Sequence, residues 1–226
     1  SMLIERIDTQ GTTRVLIDTS PDMRQQLLTA GIGHLDAVVY THGHADHMHG
    51  IDDLRVIVFN RKSRLPVWAD GPTQERLYGG FAYIFHQPDD SPYPPILTMH
   101  TIDGDVTISG EGGDITLTPF EVDHGSIDAL GFRIGGVAYL PDAAHIPETS
   151  WTVLQNLDLW IVDALRREPH PTHAHLARTL EWIERAQPKR AILTNMHNDL
   201  DYETVKAETP DHIEPAFDGL SLSFQG

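Results

Sequence analysis

The chain has 226 residues, enough to bury a substantial core, and its 40% hydrophobic and 22% charged content is ordinary for a globular protein. A net charge of −17, from 33 acidic and 16 basic residues, disfavours a long nucleic-acid partner by repelling polyanions. The absence of cysteine excludes disulfides, thiolate ligands and a thiol nucleophile, and no run of about 18 apolar residues offers a membrane span. The opening Ser1-Met2-Leu3-Ile4-Glu5 lacks the basic-then-apolar order of a signal peptide, so a cytoplasmic location without membrane partners is expected.

In chain order, β-rich runs at Met2–Ile7 and 14–17 lead to a helix capped by Ser20 with Pro21 at its first position. That helix runs to about Ala30, where Gly31 and Gly33 end it. Residues 35–40 read as a buried strand, 50–55 open a second helix, Leu65–Ala69 is a strand, and Pro72 starts a helix reaching about Leu77. Residues 79–109 are irregular, aromatic and proline-rich, and read as a packed excursion that lines a pocket and supplies a homodimer contact. Strands follow at 115–122, 131–134 and Val137–Leu140, then a helix around 150–157 and a strand at 159–162. A helix over 175–186, a strand at 191–194 and a tail strand near 220–224 complete the series. Two halves mixing strands and helices predict an α/β (α+β) four-layer αββα sandwich, counted as one domain over 1–226.

The stretch YTHGHADHMHG, residues 40–50, places His42, His44, His47, His49 and Asp46 directly after a buried strand. In an extended loop His42 and His44 project to one side, and Asp46 and His47 follow on a turn that aims them at a second point. Nitrogen and oxygen donors without sulfur suit Zn, Mn or Fe. The spacing is too tight for a solvated loop that is histidine-rich by chance. Further ligands of the right character stand where strands run out: His124, Asp142 and His197.

This pattern resembles the metallo-β-lactamase fold superfamily. THGHADHMHGIDDLR, DHGSIDALGFRI, YLPDAAHIPE, DALRREPHPTHAHL and LTNMHNDLDY resemble a branch containing phosphoribosyl cyclic phosphodiesterase, with ribonuclease Z more distant. The branch opens with a GCGxSxGxP-like strand and loop, which the start at SMLIE does not show. Carried over by position, the resemblance implies two divalent ions, Mn or Zn, per chain. His42, His44 and His124 would hold one, Asp46, His47 and His197 the other, and Asp142 would bridge. A hydroxide between two cations is the nucleophile this implies.

A leaving alkoxide needs a proton, and His170, His173 and His175 are candidates. The resemblance selects His173 as general acid, also touching substrate, with His175 as substitute; Asp46 is counted with them among the catalytic residues. Arg55 and Arg166, and also Arg167, are candidates to grip phosphate oxygens. Asp18 reads as a hydrogen-bonding support of the histidine loop. His49 and His145 are the remaining pocket candidates, and Asp52, Asp53 and Asn198 read as caps or supports.

The function expected is a phosphodiesterase acting on a small phosphorylated sugar or nucleotide. Thioester or lactone hydrolysis on the same fold is the alternative enzyme class, and a non-catalytic metal-stabilised binding or carrier protein the alternative outside catalysis. Ribonuclease Z activity is opposed by the charge and the lack of an inserted arm.

Overall fold

The computed structural model describes residues 1–224. Its contacts divide the chain into two compact units, Ser1–Thr116 and a second beginning at Leu117.

The first unit holds a five-stranded sheet in the order β1-β2-β3-β4-β5. β1 (Met2–Ile7) and β2 (Thr12–Ile17) form an antiparallel hairpin with Met2 opposite Ile17. β3 (Ala37–Val39), β4 (Leu65–Ala69) and β5 (Leu97–Thr101) continue in parallel from β2. Parallel strands are joined by crossovers that cover the sheet, so they read as apolar runs. Val15, Leu16, Ile17 and the whole of β3 are buried accordingly.

The crossovers are α1 (Met23–Ala30), α2 (Ala45–Met48) with α3 (Leu54–Arg61), and α4 (Gly71–Phe85). α1 begins at Met23, later than the Ser20–Pro21 signal suggested. The Ser20 hydroxyl and amide are both engaged with the Ser1 hydroxyl, and the Ser20 carbonyl closes a turn on the Met23 amide. Gly31 ends the helix in the left-handed region at φ 69°, as expected. α4 extends eight residues past the expected stop at Leu77, but it leaves helical geometry at Phe81 (φ −135°, ψ 31°), so it is two helical pieces meeting at a kink directly after Gly79 and Gly80. Burial of Ile84 and Phe85 favours the second piece. The irregular excursion is therefore confined mainly to 86–96, since β5 and β6 (Val106–Ile108) also lie within 79–109. Leu16, Val38, Leu54, Leu77 and Ile84 belong to this unit's core.

The second sheet runs β12-β11-β10-β9-β8-β7-β6. Its remaining strands are β7 (Ile115–Asp123), β8 (Asp128–Ile134), β9 (Val137–Leu140), β10 (Leu159–Asp163), β11 (Arg190–Thr194) and β12 (Ile213–Pro215). β7, β8 and β9 are antiparallel neighbours; β9, β10, β11 and β12 are parallel. The core of the second unit centres on Trp160, Val122, Leu140, Leu193 and the inner face of α5 (Leu176–Ala186). The helix expected at 150–157 is only a 3-10 turn, Ser150–Thr152, because Asn156 adopts φ 54° and stops propagation. The tail strand lies at β12, not at 220–224. β12 pairs with β11, and a turn with Gly219 at φ 87° follows it. α6 (Tyr202–Glu208), unforeseen, starts where the Asp201 carboxylate accepts from the Thr204 amide at 2.9 Å. Among the described residues no helix is long and apolar enough to cross a membrane.

Candidate metal centre

In the first unit β3 delivers the chain into the histidine loop. His44 is the N-cap residue of α2, which carries Asp46 and His47. His42 is buried, and its Nε2 lies 3.1 Å from His44 Nδ1; its ring centroid is 4.2 Å from that of His47. Asp46 Oδ2 stands 3.4 Å from His47 Nε2. Hydrogen bonding to His47 holds the Asp46 carboxyl well below the usual carboxylate range, with partial burial opposing. The loop thus presents four nitrogen and oxygen donors from a frame of backbone and buried rings. Gly50 is required where the loop ends, because a side chain there would collide with the Ser20 carbonyl.

Asp18 is that frame's anchor, as its position after β2 suggested. It is buried and adopts φ 61°, an uncommon conformation for a residue other than glycine. Its carboxylate accepts from the Thr41 amide (2.8 Å) and the Thr41 hydroxyl (2.7 Å) and meets His47 Nδ1 at 2.8 Å. With Nδ1 so engaged, Nε2 is the nitrogen turned toward Asp46. Asp18→Asn puts an amide donor where only acceptance is wanted. We expect metal affinity to fall by about 10–100-fold, measured by chelator competition; unchanged affinity would remove Asp18 from the site.

In the second unit residues at the ends of four strands, β7, β9, β10 and β11, come together. His124 follows β7, with Nδ1 2.6 Å from the Thr172 carbonyl and Nε2 3.5 Å from Asp142 Oδ2. Asp142, buried, follows β9, and its Oδ1 accepts from Asn195 Nδ2 at 3.1 Å. His173 lies beside them, its ring 4.7 Å from that of His124, with Nδ1 3.1 Å from Asp163 Oδ2.

Asp163 and Asn195 were not singled out from the sequence. Asp163 ends β10 as Asp142 and His124 follow β9 and β7, so the strand-end rule that found those two also points to it. Its Oδ2 accepts from the Ala143 amide (3.1 Å) and the Ala174 amide (3.2 Å) as well as facing His173. Burial pushes its carboxyl up to about 7 despite these bonds. In metal-free protein the folded carboxyl therefore keeps its proton above the pH at which an unfolded aspartate loses it. Folding stability should fall as pH rises from about 4 to about 7, and Asp163→Asn should flatten that slope in urea titrations. An unchanged slope would contradict this assignment. Asn195 follows β11 at φ 59° and is also 3.5 Å from His173 Nδ1. No sequence signal separated it from an ordinary turn asparagine.

The other expected residues lie elsewhere. His197 belongs to neither cluster of metal-capable side chains among the described residues; its side chain is 61% exposed with Nδ1 3.6 Å from Asp199. His175 caps α5, Nδ1 accepting from the Arg178 amide at 3.4 Å, a structural use of the ring. The Arg166 guanidinium donates to the Glu168 and Pro169 carbonyls, and Arg167 pairs with Glu208 at 2.9 Å. Arg55 pairs with Asp52 at 3.0 Å. Asp53 precedes α3 without a side-chain capping bond. His49 packs edge-on against Phe81, and His145 bridges to Asp123 at the backbone.

A family model for the beta-lactamase superfamily domain matches residues 13–196. The chain belongs to the beta-lactamase superfamily. The two sheets with their helices are the mixed α/β arrangement of its metallo-β-lactamase fold, as the HxHxDH pattern led us to expect. A solved structure described as a new diphosphatase from the PhnP family is 38% identical, with a TM-score of 0.85 over 94% of this chain and 81% of that one. An octanoyltransferase of Porphyromonas gingivalis is 34% identical over 219 residues, 95% of this chain and 43% of that protein. A ribonuclease Z of Bradyrhizobium is 30% identical over 128 residues, 54% of this chain and 40% of that protein. The chain therefore spans less than half the length of these two curated relatives.

The superfamily implies metal ions, and the donor chemistry fits them. His42, His44, Asp46 and His47 in one unit, and His124 and Asp142 in the other, offer only nitrogen and oxygen atoms. Most are buried on strand-anchored frames, and bound His rings of this kind are oriented through their second nitrogen, as His47 and His124 are here.

Proposed function

We propose that this chain is a metal-dependent hydrolase that cleaves a phosphoric ester or anhydride in a small phosphorylated sugar or nucleotide. The observation that carries the reading is the Asp163–His173 pair beside His124 and Asp142. A proton donor that is held by a buried carboxylate, next to metal ligands, suits a reaction whose leaving oxygen must be protonated. The 38% identity to a PhnP-family diphosphatase over 94% of the chain supports phosphoryl chemistry.

In the first unit His42, His44, Asp46 and His47, and in the second His124 and Asp142, would be the residues that hold divalent ions. When bound, such ions supply Lewis-acid stabilisation of phosphoryl charge and activation of water. The chain's own residues do the rest. Asp18 and Thr41 fix the His47 and His42 rings. Asp163 Oδ2 takes His173 Nδ1, so Nε2 is the nitrogen that carries a proton toward the leaving oxygen. Asn195 holds Asp142 Oδ1 and lies beside the same His173 nitrogen, limiting rotation of both.

A second reading, hydrolysis of an acyl thioester, is favoured by the 34% identity to an octanoyltransferase. That match occupies 43% of the relative, so its name describes far more chain than is aligned. The readings separate on substrate. Protein loaded with Mn or Zn should hydrolyse bis(p-nitrophenyl) phosphate and lose that activity to chelator. Hydrolysis of an octanoyl thioester with none of the phosphodiester would overturn the proposal.

A further inference from the structure

Outside the histidine loop the first unit carries a cavity of about 460 Å³ lined by Arg55, Phe59, Tyr83, Tyr93 and Ile96 among others. That volume lies within the roughly 300–1,000 Å³ of small-molecule pockets. Phe59 comes from α3, Tyr83 from the turn of α4 beyond the Phe81 kink, and Tyr93 from the loop before β5. These rings are 66%, 45% and 71% exposed, whereas Ile96 is 4% exposed. Three large aromatic side chains left to water around one concavity mark a surface awaiting cover.

The cavity is built. Ser91 closes its loop by donating from its amide to the Pro88 carbonyl (2.9 Å). The Ser91 carbonyl accepts from Gln87 Nε2 (2.7 Å), and its hydroxyl accepts from the Tyr93 amide (3.2 Å). Asp52 organises the polar corner, pairing with Arg55 Nη2 at 3.0 Å and lying close enough to Tyr83 for its charge to act on the phenol. Partial burial and the Asp52 charge push the Tyr83 phenol up, so it stays a neutral donor and an intact stacking face. The 3-10 turn Ile51–Asp53 joins α3 directly to the histidine loop, and the His49 ring touches Phe81 at the α4 kink (5.7 Å). The cavity therefore belongs to the same stretch of chain as the metal donors of this unit.

The lining selects the occupant. Rigid rings present flat faces that favour another planar ring by directed stacking, while an alkyl chain gains only undirected burial from them and nothing from a fixed guanidinium. A second copy would bring another net charge of −17 toward a site with a single cation, Arg55, among its described lining residues. A guanidinium has five N–H donors, and one bond to Asp52 leaves geometry for a phosphate oxygen. We propose that this cavity seats the base of a nucleotide, stacked among Phe59, Tyr83 and Tyr93, with Arg55 reaching a phosphate oxygen. This rests on the phosphoester reading and narrows its substrate class to nucleotides.

Calorimetric titration of the full chain, metal-free and metal-loaded, with AMP, adenosine, ribose 5-phosphate and octanoate tests the assignment. AMP should bind about 10–100-fold more tightly than ribose 5-phosphate, the range expected for stacking one base. Tyr93→Ala and Phe59→Ala should bring AMP down to the level of ribose 5-phosphate, and Arg55→Gln should bring it down to adenosine. Equal binding of AMP and ribose 5-phosphate, or no binding of either, overturns the proposal, as does preferential binding of octanoate. So does a dimer in light scattering that Tyr93→Ala dissolves, which would make the face a contact between copies. Both truncated rings are mostly exposed, so circular dichroism should be unchanged, and the adenosine comparison on the unmodified chain needs no variant. Failure of the phosphoester reading would show separately, in the hydrolysis of bis(p-nitrophenyl) phosphate.

Discussion

Replacing His173 with alanine is expected to lower kcat by about 10²–10⁴-fold, the usual contribution of a general acid, while leaving metal content unchanged. The ring is held through Nδ1 by a buried carboxylate and is packed edge-on against His124, so its second nitrogen is aimed and not merely nearby. The effect should depend on the leaving group. A poor leaving alkoxide needs the proton and should suffer the full loss. p-Nitrophenolate departs without protonation and should suffer little. Equal losses on both substrates would reject the acid role, and loss of metal would make His173 a ligand. His175→Ala should instead weaken α5 modestly, because that ring caps the helix.

Asp142→Ala should have the larger effect on metal. Its carboxylate is buried between His124 Nε2 and Asn195 Nδ2, so both oxygens are placed by fixed partners. Metal content by elemental analysis should collapse, and activity should fall by about 10³-fold or more, since lost charge stabilisation of several kcal/mol costs a decade per 1.36 kcal/mol. Asp142→Asn is the sharper variant. It keeps an acceptor for Asn195 and the side-chain volume while removing the charge, and it should lose metal equally. Wild-type metal content in Asp142→Asn would show that the position serves shape and not coordination. Asn195→Ala should leave metal content closer to normal and reduce kcat, because Asn195 holds Asp142 by a hydrogen bond and packs beside the His173 ring.

Much of this protein was determined by the sequence itself. Short apolar runs that must be buried on both faces set β3, β4, β10 and β11, and the donor-dense loop after β3 is a His/Asp cluster compatible with metal ions. Local punctuation was reliable where it acted locally: Gly31 ends α1 and His175 begins α5. Tertiary structure decided what depends on distant partners. Burial of Ile84 and Phe85 let helix resume beyond the kink at Phe81, just after two glycines that intrinsic propensity reads as a stop. The Arg55 guanidinium found a carboxylate in the 3-10 turn just before its helix, and that of Arg166 found carbonyls in its own loop, which composition cannot reveal. After β11 it is Asn195, in the left-handed region at φ 59°, whose side chain reaches Asp142, while the His197 side chain is 61% exposed. Residue type and spacing fix which donors are available, but φ at a strand end fixes where each one points.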